Sequence, residues 1–411
     1  MTDPICLTNA RVLTLARGGR PRRGDATRDL APIDGGSVLI EHGRVTRVEP
    51  GTINPPDGAA VIDAGGRVVM PAFLDAHTHA CWAGDRLDEW ELKQRGASYL
   101  ELLESGGGIM STVRAVRAAS EDGLAGSLLE RLQTMAREGT GAVEIKSGYG
   151  LSPEHELKML RAIVRAADSW AGVVSPTACI GHAKDPVQDD FVASTIDATL
   201  GSIHDAFPTI TIDAYCEQGA WSLDETVRLF ERARALGHPL RVHADQFHEL
   251  GMLDAAIELG ALSVDHLEAT GPDALGRLAG SDTMGVMLPC SGFHIDGRYA
   301  DGRAFLDAGG ALAIATNANP GSAPCLSMPM AIALAVRHLG VTAAEAITAS
   351  TVNAAHLLGM GDRGTLEPGA CADLIMLRHR DERQIGHEFG GAHADLVVIG
   401  GEIVSDRRAH A

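Results

Sequence analysis

The sequence predicts an α/β protein in which a (β/α)8 TIM-like barrel carries a small β-sandwich domain. Two observations lead to this prediction. Short apolar runs alternate with amphipathic helical stretches through the middle of the chain, which is typical of βα units wound into a parallel sheet. At both ends of the chain, β-branched runs separated by turn signals replace that alternation, so we expect the two ends to meet in one β-sandwich.

The middle of the chain contains eight apolar runs, as many as a closed barrel needs. They end near His79, Lys146, His182, Glu217, His243, His266, Pro289 and Asn317. Stretches such as Gly123–Arg137 and Ala343–Leu358 repeat apolar residues at helical spacing. An open doubly wound sheet is the rival architecture. Because no GxGxxG motif follows the first strand of any βαβ unit, a dinucleotide-binding fold has no support.

The terminal runs are interpreted as antiparallel strands. They are Ile5–Leu15, Ser37–Val48 and Ala60–Val69 near the N-terminus, and Asp373–Leu377 and Leu396–Val404 near the C-terminus. The predicted domains are residues 1–68 and 363–411 for the two parts of the β-sandwich and residues 69–362 for the barrel. A chain of 411 residues is long enough for both.

Composition and charge exclude several classes of function. A formal net charge of -19 would repel a phosphate backbone, so we expect no nucleic-acid partner. Seven cysteines, none at CxxC spacing, favour reduced thiols over a disulfide framework. No stretch reaches the roughly 18 apolar residues of a membrane span, and no secretory leader opens the chain. These features predict a cytoplasmic protein with no membrane partner.

Two further segments are predicted to carry no chemistry. The triple glycine at 106–108 lacks the Lys-Ser/Thr of a P-loop, and we interpret it as a loop before a helix that Ser111 and Thr112 open. The arginine-rich segment Ala16–Asp29 is predicted to be a solvated surface loop, with a basic docking patch as the alternative.

Histidines recur at the predicted strand ends, where a barrel collects its catalytic groups. His77 and His79 close the first run. Residues two apart on a strand point the same way, so both imidazoles are expected to face one metal ion. His243 and His266 end the fifth and sixth runs. Each alone is more often a hydrogen-bonded structural histidine, so the metal-site prediction depends on their recurrence. Histidines in predicted helices or loops are interpreted as structural or solvated, namely His155, His204, His338 and His387.

This pattern resembles the amidohydrolase superfamily, in which HxH on the first strand and single histidines on the fifth and sixth accompany a β-sandwich built from both chain ends. Within it, the chain closely resembles the imidazolonepropionase family over nearly its whole length. The segments that carry the closer resemblance are 84–86 (GDR), 106–114 (GGGIMSTVR), 146–150 (KSGYG), 181–183 (GHA), 243–246 (HADQ) and 319–322 (NPGS). The tail 364–374 is general to the superfamily and therefore less specific.

The resemblance implies a homodimeric enzyme with one divalent metal ion, Zn or Fe, and a small-molecule substrate. That substrate would be 4-imidazolone-5-propanoate, whose cyclic amide would be opened to N-formimino-L-glutamate. The implied metal ligands are His77, His79, His243 and Asn317. The implied substrate-binding residues are Arg86 and Tyr149 on the carboxylate, His182 and Gln246 near the ring, and Asn319, Gly321 and Ser322. The implied catalytic residues are His266, Gln246 and Asn317.

Arg86 and Tyr149 could each have a structural role in place of the implied functional one. Arg86 suits a carboxylate because its guanidinium is a bidentate fork, but a surface salt bridge is the alternative. Tyr149 could equally be a packing residue of its loop. Some amidohydrolases carry a carboxylated lysine that bridges two metals, but that lysine belongs on a later strand than Lys146 does. We therefore expect a mononuclear site.

One position departs from the family pattern. The family has an aspartate where this chain has Asn317. That aspartate is expected to bind the metal and to take a proton from its water, whereas an asparagine offers a carbonyl oxygen but cannot act as a base. Two hypotheses follow. The first is a hydrolase of this or a related five-membered cyclic amide. The second is a non-catalytic or inactivated metal-containing binder of imidazole-like acids. Because the other motif residues are all present, the first is favoured.

Overall fold

The fold is that of a computed structural model, which describes residues 3–16, 18–96 and 107–408. The strands in chain order are β1 (Ile5–Leu13), β2 (Pro32–Glu41), β3 (Arg44–Pro50), β4 (Ala60–Asp63), β5 (Val68–Pro71), β6 (Phe73–Asp75), β7 (Thr140–Lys146), β8 (Val173–Gly181), β9 (Thr211–Cys216), β10 (Leu240–Ala244), β11 (Ser263–His266), β12 (Met284–Met287), β13 (Leu312–Ile314), β14 (Leu374–Leu377), β15 (Ala394–Ile399) and β16 (Glu402–Asp406).

The helices follow the barrel strands along the chain. They are α1 (Leu87–Gln94), α2 (Ile109–Ala118), α3 (Glu121–Arg137), α4 (Pro153–Asp168), α5 (Phe191–Ser194), α6 (Leu200–Ala206), α7 (Leu223–Ala235), α8 (Met252–Leu259), α9 (Pro272–Ala279), α10 (Pro289–Ile295), α11 (Gly302–Asp307), α12 (Met328–His338), α13 (Ala343–Ala349), α14 (Val352–Leu357) and α15 (Arg383–His387). A 3-10 turn covers Gly24–Arg28, and a π turn at Thr195–Thr199 joins α5 to α6.

Eight parallel strands, β6 to β13, pair in chain order and form the barrel. A parallel bridge between Thr78 and Ala318 lies at the seam between the first and last strands. The barrel predicted from the alternating runs is confirmed. Two strands end on the predicted residues, β7 at Lys146 and β11 at His266. Side chains at these ends reach the face where barrels carry their active sites.

Both chain ends meet in one sheet, as the sequence predicted, but the sheet is mixed and not wholly antiparallel, because β1 pairs in parallel with β4 and β5. Its order is β16-β15-β14-β5-β1-β2-β3, and β4 pairs with β1. Strand β1 forks, because it pairs in parallel with β4 along Ile5–Thr8 and with β5 along Arg11–Val12. The fork lets the sheet enclose its own apolar cluster, which includes Leu7 and Val38. The small-sheet strands end at Pro71 and resume at Leu374; the domain limits at 68/69 and 362/363 stay a prediction.

Two predicted helices differ from the observed ones. The stretch Ala343–Leu358 is split into α13 and α14. The carbonyl of Ser350 accepts the N–H of Leu74 at 2.9 Å, so it is not used for a helical hydrogen bond that would join the two helices. The Thr351 hydroxyl also binds back to the Ile347 carbonyl at 2.6 Å, a local bond that competes with helix geometry. Helix α2 begins at Ile109 after Gly108, so it is not opened by Ser111 and Thr112; Gly106 lies outside the described residues.

The arginine-rich segment was wrongly predicted to be a solvated loop. Arg22 is only 2% exposed, and its guanidinium donates to the carbonyls of Leu15 and Asp29. Arg23 donates to backbone carbonyls across the barrel, including that of Ala279 at 2.9 Å. Arginine satisfies several carbonyls at once because it offers five donors, so the segment is anchored to the barrel. Arg17 lies outside the described residues.

The remaining global predictions concern membranes and cysteines. Within the described ranges, none of the helices combines the length and the apolar character that crossing a membrane requires. All seven cysteines fall within those ranges and are free thiols.

Candidate active site

Three histidine side chains converge at the carboxyl end of the barrel strands. His77 and His79 follow β6 and His243 lies in β10, and one ring nitrogen from each lies within 4.8 Å of the others. The Nε2 atoms of His79 and His243 are 3.0 Å apart. The Nε2 atom of His77 is buried and has no hydrogen-bond partner among the described residues. Nitrogens so arranged fit a divalent ion with bonds of about 2 Å.

Two buried carboxylates orient these imidazoles. Asp265 Oδ2 lies 2.5 Å from Nδ1 of His77, and Asp213 Oδ1 lies 3.0 Å from Nδ1 of His243. A carboxylate in this position accepts the Nδ1 proton and leaves the lone pair on Nε2 for a metal. This is the arrangement expected of metal-binding histidines, and it supports the predicted site independently of the HxH motif.

Two buried cations bind those carboxylates in turn. Lys146 Nζ lies 2.7 Å from Glu144 and 2.6 Å from Asp213, and Arg241 Nη2 lies 2.6 Å from Asp265. All five side chains are at most 2% exposed. Buried charges are stable only when paired and hydrogen-bonded. The three carboxylates exceed the two cations by one negative charge, which favours a cation among the neighbouring histidines.

Burial determines the protonation of this cluster. Burial lowers the pKa of His77 and His79 well below the ordinary value, and it lowers the pKa of His243 although Asp213 opposes the shift. Neutral imidazole is the form that binds metal. Burial alone would also lower the pKa of Lys146, but its carboxylate neighbours raise it above the ordinary value. A protonated, fully paired Lys146 supports the expectation that it is no carboxylated metal ligand.

The loop after β7 brings Tyr149 beside the histidines. The Tyr149 ring centroid lies 6.0 Å from that of His79 and 5.2 Å from that of His182, and His182 stacks on His79 at 4.5 Å. Glu156 of α4 holds this loop, because its buried carboxylate accepts three backbone N–H groups, those of residues 148, 150 and 151, at 2.7 to 2.9 Å. Burial lowers the pKa of His182 to about 3.

Gln246, on the loop after β10, and His266, the last residue of β11, lie at the same end of the barrel. Tyr215 donates its hydroxyl to Gln246 Oε1 at 2.8 Å, which fixes the side-chain amide. Glu268 lies 3.1 Å from Nδ1 of His266 and so leaves Nε2 of that ring for other partners. The ring centroids of His266 and His243 are 5.6 Å apart.

Three strand-end residues adopt left-handed backbone geometry. The φ angles are +57° at Asp245, +93° at His266 and +56° at Asn317. Asparagine, aspartate and histidine are the non-glycine residues found most often in the left-handed region, but the φ of +93° at His266 lies beyond its usual range of about +50° to +70°. Such strain is commonly stored at functional sites, and here it lies beside the metal-ligand cluster.

Arg86 lies beside the loop that follows β13. Its guanidinium pairs with Glu89 at 2.5 and 2.7 Å. A Cβ added to Gly321 would lie 3.0 Å from Arg86 Nη1, so the glycine allows the backbone to approach the guanidinium. Asn319 Oδ1 accepts the N–H groups of Gly321 and Ser322 at 2.9 and 2.7 Å. The 319–322 motif thus shapes the loop that faces Arg86.

Asn317 is buried near the cluster. Its backbone N–H donates to the His77 carbonyl at 3.0 Å, and its side-chain Nδ2 is 3.5 Å from the Ser291 hydroxyl. It is 2% exposed. The backbone bond holds Asn317 against the segment that carries His77 and His79. Its roles as ligand and catalytic residue stay predictions.

Sequence reasoning missed the residues that support the histidines and the neighbouring loops of the site. These are Glu144, Asp213, Tyr215, Arg241, Asp265, Glu156 and Glu268. Two of them could have been found from their spacing along a strand. Arg241 lies two residues before His243, and Glu144 lies two residues before Lys146. Charged residues at that spacing inside an apolar run point into the barrel with the ligand. Glu156 gives no comparable signal, since an acidic residue in the first turn of a helix is common.

A second histidine cluster lies in the small domain. A ring nitrogen of His379, one of His393 and an oxygen of Glu388 lie within 4.8 Å of one another. Arg378, however, donates to His379 at 3.0 Å and pairs with Glu388. Since the guanidinium already binds two of the three groups, we interpret this cluster as a salt-bridge network and not as a metal centre.

The family model for the amidohydrolase family matches residues 68–404, which span the whole barrel together with β5, β14, β15 and most of β16 of the small sheet. The chain belongs to the amidohydrolase family. This family is metal-dependent, in agreement with the His-rich cluster. The chain is 42% identical over 405 residues to an imidazolonepropionase of Herpetosiphon aurantiacus, with 95% of each chain covered. It is 40% identical over 419 residues to an imidazolonepropionase of Chloroflexus aggregans, with 98% of each covered.

Solved amidohydrolase-like structures share the fold. N-isopropylammelide isopropylaminohydrolase from Burkholderia multivorans matches with a TM-score of 0.71 at 17% identity, covering 99% of both chains. A triazine hydrolase variant matches with a TM-score of 0.77 at 16% identity, covering 98% of this chain and 95% of the other. At such identities the likeness concerns the fold alone.

Proposed function

We propose that the chain hydrolyses the cyclic amide of 4-imidazolone-5-propanoate to N-formimino-L-glutamate in histidine degradation. The observation that carries this proposal is the meeting of the three-histidine cluster with Tyr149, His182 and Gln246 at one end of the barrel. It is supported by the imidazolonepropionases that the chain resembles over nearly its full length. The chain is accordingly a hydrolase of a carbon–nitrogen bond in a cyclic amide.

His77, His79 and His243 are the proposed protein ligands of one divalent ion, Zn or Fe, and the Asn317 side-chain oxygen is the proposed fourth. When bound, such an ion supplies Lewis-acid polarisation of the ring carbonyl and acidifies water. Imidazole suits both metals, so the ligand set leaves the two as alternatives. The tautomers that Asp213 and Asp265 impose are the chain's own contribution to this site.

The remaining residues bind and orient the substrate. Arg86 is the proposed partner of the propionate, with Tyr149 completing the carboxylate site. His182 and Gln246 are proposed to bind the ring, and both are pre-oriented: His182 Nδ1 lies 3.1 Å from the Gly148 carbonyl, and Gln246 is held by its bond from Tyr215. Such orientation lowers the entropy cost of reaching the transition state.

His266 is proposed to assist the ring carbonyl or to transfer a proton. Glu268 accepts from its Nδ1 at 3.1 Å, which fixes the tautomer and leaves Nε2 to donate or accept a proton. Asn317 cannot do this, because an amide has no basic nitrogen at neutral pH. Asn319, Gly321 and Ser322 are proposed to complete the substrate site by shaping the loop beside Arg86.

The decisive experiment combines elemental analysis with steady-state hydrolysis of freshly prepared imidazolone propionate. We expect about one Zn or Fe per chain, as in other mononuclear sites. His77→Ala and His243→Ala should each empty the site and abolish measurable turnover, with little change in folding because a large barrel core does not depend on one ion. His387→Ala, at an exposed histidine of α15, is the matched control. Unchanged metal content in both site variants would show that the ion binds elsewhere.

Asn317 is the observation that favours a second candidate function, a metal-containing binder of imidazole-like acids without turnover. Binding of imidazole propionate with no hydrolysis of imidazolone propionate at full metal content would favour the binder. Hydantoin or thiohydantoin propionates in the same assay would reveal a related ring substrate.

We further propose that the protein is a cytoplasmic homodimer. Light scattering of the purified protein would test its oligomeric state.

A further inference from the structure

Tyr215 and Gln246 form a side-chain pair beside the histidine cluster. Tyr215 lies in β9 and pairs in register with His243 of β10. Its ring centroid lies 6.0 Å from that of His243 and 6.5 Å from that of His266. Its hydroxyl donates to Gln246 Oε1 at 2.8 Å. Gln246 is therefore tied to the same strand that carries Asp213, the partner of His243.

This bond determines which end of the Gln246 amide a ligand meets. A tyrosine hydroxyl has one proton to donate, and the amide offers an acceptor oxygen at one end and an NH2 donor at the other. Because Oε1 accepts the Tyr215 proton, the NH2 group is the end that remains. Nε2 bonds to none of the described residues, and it is not one of the buried atoms that lack a partner. Gln246 thus offers N–H donors to a ligand.

The neighbours of Gln246 belong to the proposed site. Gln246 lines a small cavity together with Glu268 and Ser291. Glu268 lies 3.1 Å from Nδ1 of His266, and Ser291 Oγ lies 3.5 Å from Nδ2 of Asn317. The amide therefore lies beside the partners of two residues that are proposed to act on the ring or on the metal.

The backbone next to Gln246 is held separately from its side chain. Glu217, two residues after Tyr215, accepts the N–H of Phe247 at 2.8 Å and that of His248 at 3.2 Å. Its side chain is 4% exposed. Loss of the Tyr215 hydroxyl should therefore leave this loop in place and release the Gln246 amide to rotate.

We propose that Tyr215 is a positioning residue that makes Gln246 a hydrogen-bond donor to the ring of the substrate. Gln246 Nε2 then binds an acceptor atom, the ring carbonyl oxygen or an unprotonated ring nitrogen, and not a ring N–H. Tyr215 acts through Gln246 and makes no contact with the substrate. This inference rests on the proposed function for the identity of the ligand, and it adds a specificity-determining residue to the site.

The first test is a double-mutant cycle of Tyr215→Phe and Gln246→Ala on the metal-loaded full chain. Hydantoin propionate is the probe, because its ring has carbonyl acceptors and calorimetry of its binding needs no turnover. Tyr215→Phe removes only the hydroxyl, so affinity should fall roughly three- to tenfold, the scale of one hydrogen bond. Metal content should not change, and KM for imidazolone propionate should rise by a similar factor. In the Gln246→Ala background, Tyr215→Phe should have no further effect.

The control for the hydroxyl is Tyr299→Phe, in a ring that stacks on the exposed His338 at 4.1 Å. This variant should keep wild-type affinity.

Gln246→Glu tests the polarity of the contact. The carboxylate can still accept from Tyr215, but it presents an oxygen in place of the NH2 group, and this oxygen would face an acceptor of the ring. Affinity for hydantoin propionate should fall roughly 10- to 100-fold, the scale of an unsatisfied buried polar group. Gln133→Glu, the same change at an exposed position of α3, is the matched control.

Equal or tighter binding by Gln246→Glu would overturn the proposal, because the ligand would then present an N–H to residue 246. A further loss when Tyr215→Phe is added to Gln246→Ala would overturn it too, since the hydroxyl would then act on the ligand directly. Loss of metal in Tyr215→Phe would instead assign Tyr215 to the support of His243. If the wild type neither binds hydantoin propionate nor hydrolyses imidazolone propionate, the proposed function fails and this inference fails with it. Wild-type binding with additive effects in the cycle overturns only the role of Tyr215.

Discussion

The three-histidine cluster (His77, His79 and His243) and the proposed substrate-binding rim (Arg86 and Tyr149) lie at the same end of the barrel but are held in different ways. His243 is fixed by Asp213 of the neighbouring strand β9, and His77 is fixed by Asp265 of β11. Both carboxylates are in turn paired with buried cations. Arg86 and Tyr149 lie on loops, and one acidic side chain holds each of them. Glu156 accepts backbone N–H groups of the Tyr149 loop, and Glu89 forms an ion pair with Arg86. The cluster is a network of side chains across strands, whereas the rim consists of separately anchored loops.

A substitution should therefore have different effects on metal affinity and on substrate affinity in the two regions. A change in the strand network should alter metal affinity, because the network determines imidazole tautomers. A change in a loop anchor should alter substrate affinity, because the loop carries a proposed substrate contact and none of the proposed metal ligands. Asn317 belongs to both regions, since it follows the last barrel strand and leads into the 319–322 loop.

Asn317→Asp is expected to have the largest effect. If the family mechanism applies, a carboxylate here supplies the missing proton acceptor, and kcat should rise on the order of 10² to 10⁴-fold. Aspartate, like asparagine, tolerates the φ of +56° at this position, so the backbone should be kept. Hydrolysis by both proteins at matched metal content is the measurement. Asn9→Asp, at an exposed residue with a similar φ of +52°, is the control.

Two outcomes of that experiment would redirect the mechanism. A parent enzyme that is already fast and is not improved by Asn317→Asp would assign the base to another residue, such as His266. Ligand binding by both proteins with hydrolysis by neither would favour the binding protein over the enzyme.

The same division explains what the sequence could predict. His77, His79 and His243 end apolar runs, and the strand period aligns their side chains, so the amino-acid pattern alone is enough to locate the cluster. Arg86 and Tyr149 were reached only through the family resemblance, since loop geometry has no period. The split of Ala343–Leu358 was also out of reach, because it depends on a tertiary bond from Leu74 to Ser350.

Asp213→Asn tests the strand network. The carboxylate is positioned 3.0 Å from His243 Nδ1, and an amide could present its N–H there and reverse the tautomer. Burial would raise the pKa of Asp213, but His243 and Lys146 hold it well below the ordinary value, so the wild-type group is ionised at neutral pH. Metal affinity should fall about 10- to 100-fold, as for other groups that orient a ligand. Competition with a chelator measures it.

The control for this variant is Asp254→Asn, which makes the same chemical change in an exposed pair with Arg277. If Asp213→Asn keeps full metal affinity while substrate affinity falls, the proposed division between network and rim is wrong.

Arg86→Met tests the rim. Loss of the guanidinium should weaken the binding of imidazole propionate by about 2 kcal/mol, the lower end of the range for removing one partner of a buried charge pair. This corresponds to roughly 30-fold in affinity. Metal content should not change. Arg95→Met, at the exposed end of the same helix, is the control, and a neutral analogue should bind Arg86→Met and wild type almost equally.

Glu156→Gln should have the smallest effect and gives the finest test of the comparison. Its two carboxylate oxygens accept the N–H groups of Gly148, Gly150 and Leu151 at 2.7 to 2.9 Å. In the variant an amide NH2 must face at least one of these donors, which costs about 1 to 3 kcal/mol of stability for an unsatisfied buried group. The Tyr149 loop should loosen, so that KM for imidazolone propionate rises a few-fold, on the order of 1 kcal/mol. Metal affinity should stay at the wild-type value, because Glu156 has no bond to His77, His79 or His243 among the described contacts.

Thermal unfolding, KM and chelator competition together measure these quantities. The control is Glu154→Gln, at an exposed position in the same first turn of α4. Loss of metal in Glu156→Gln at unchanged KM would mean that the loop supports the ion and not the substrate.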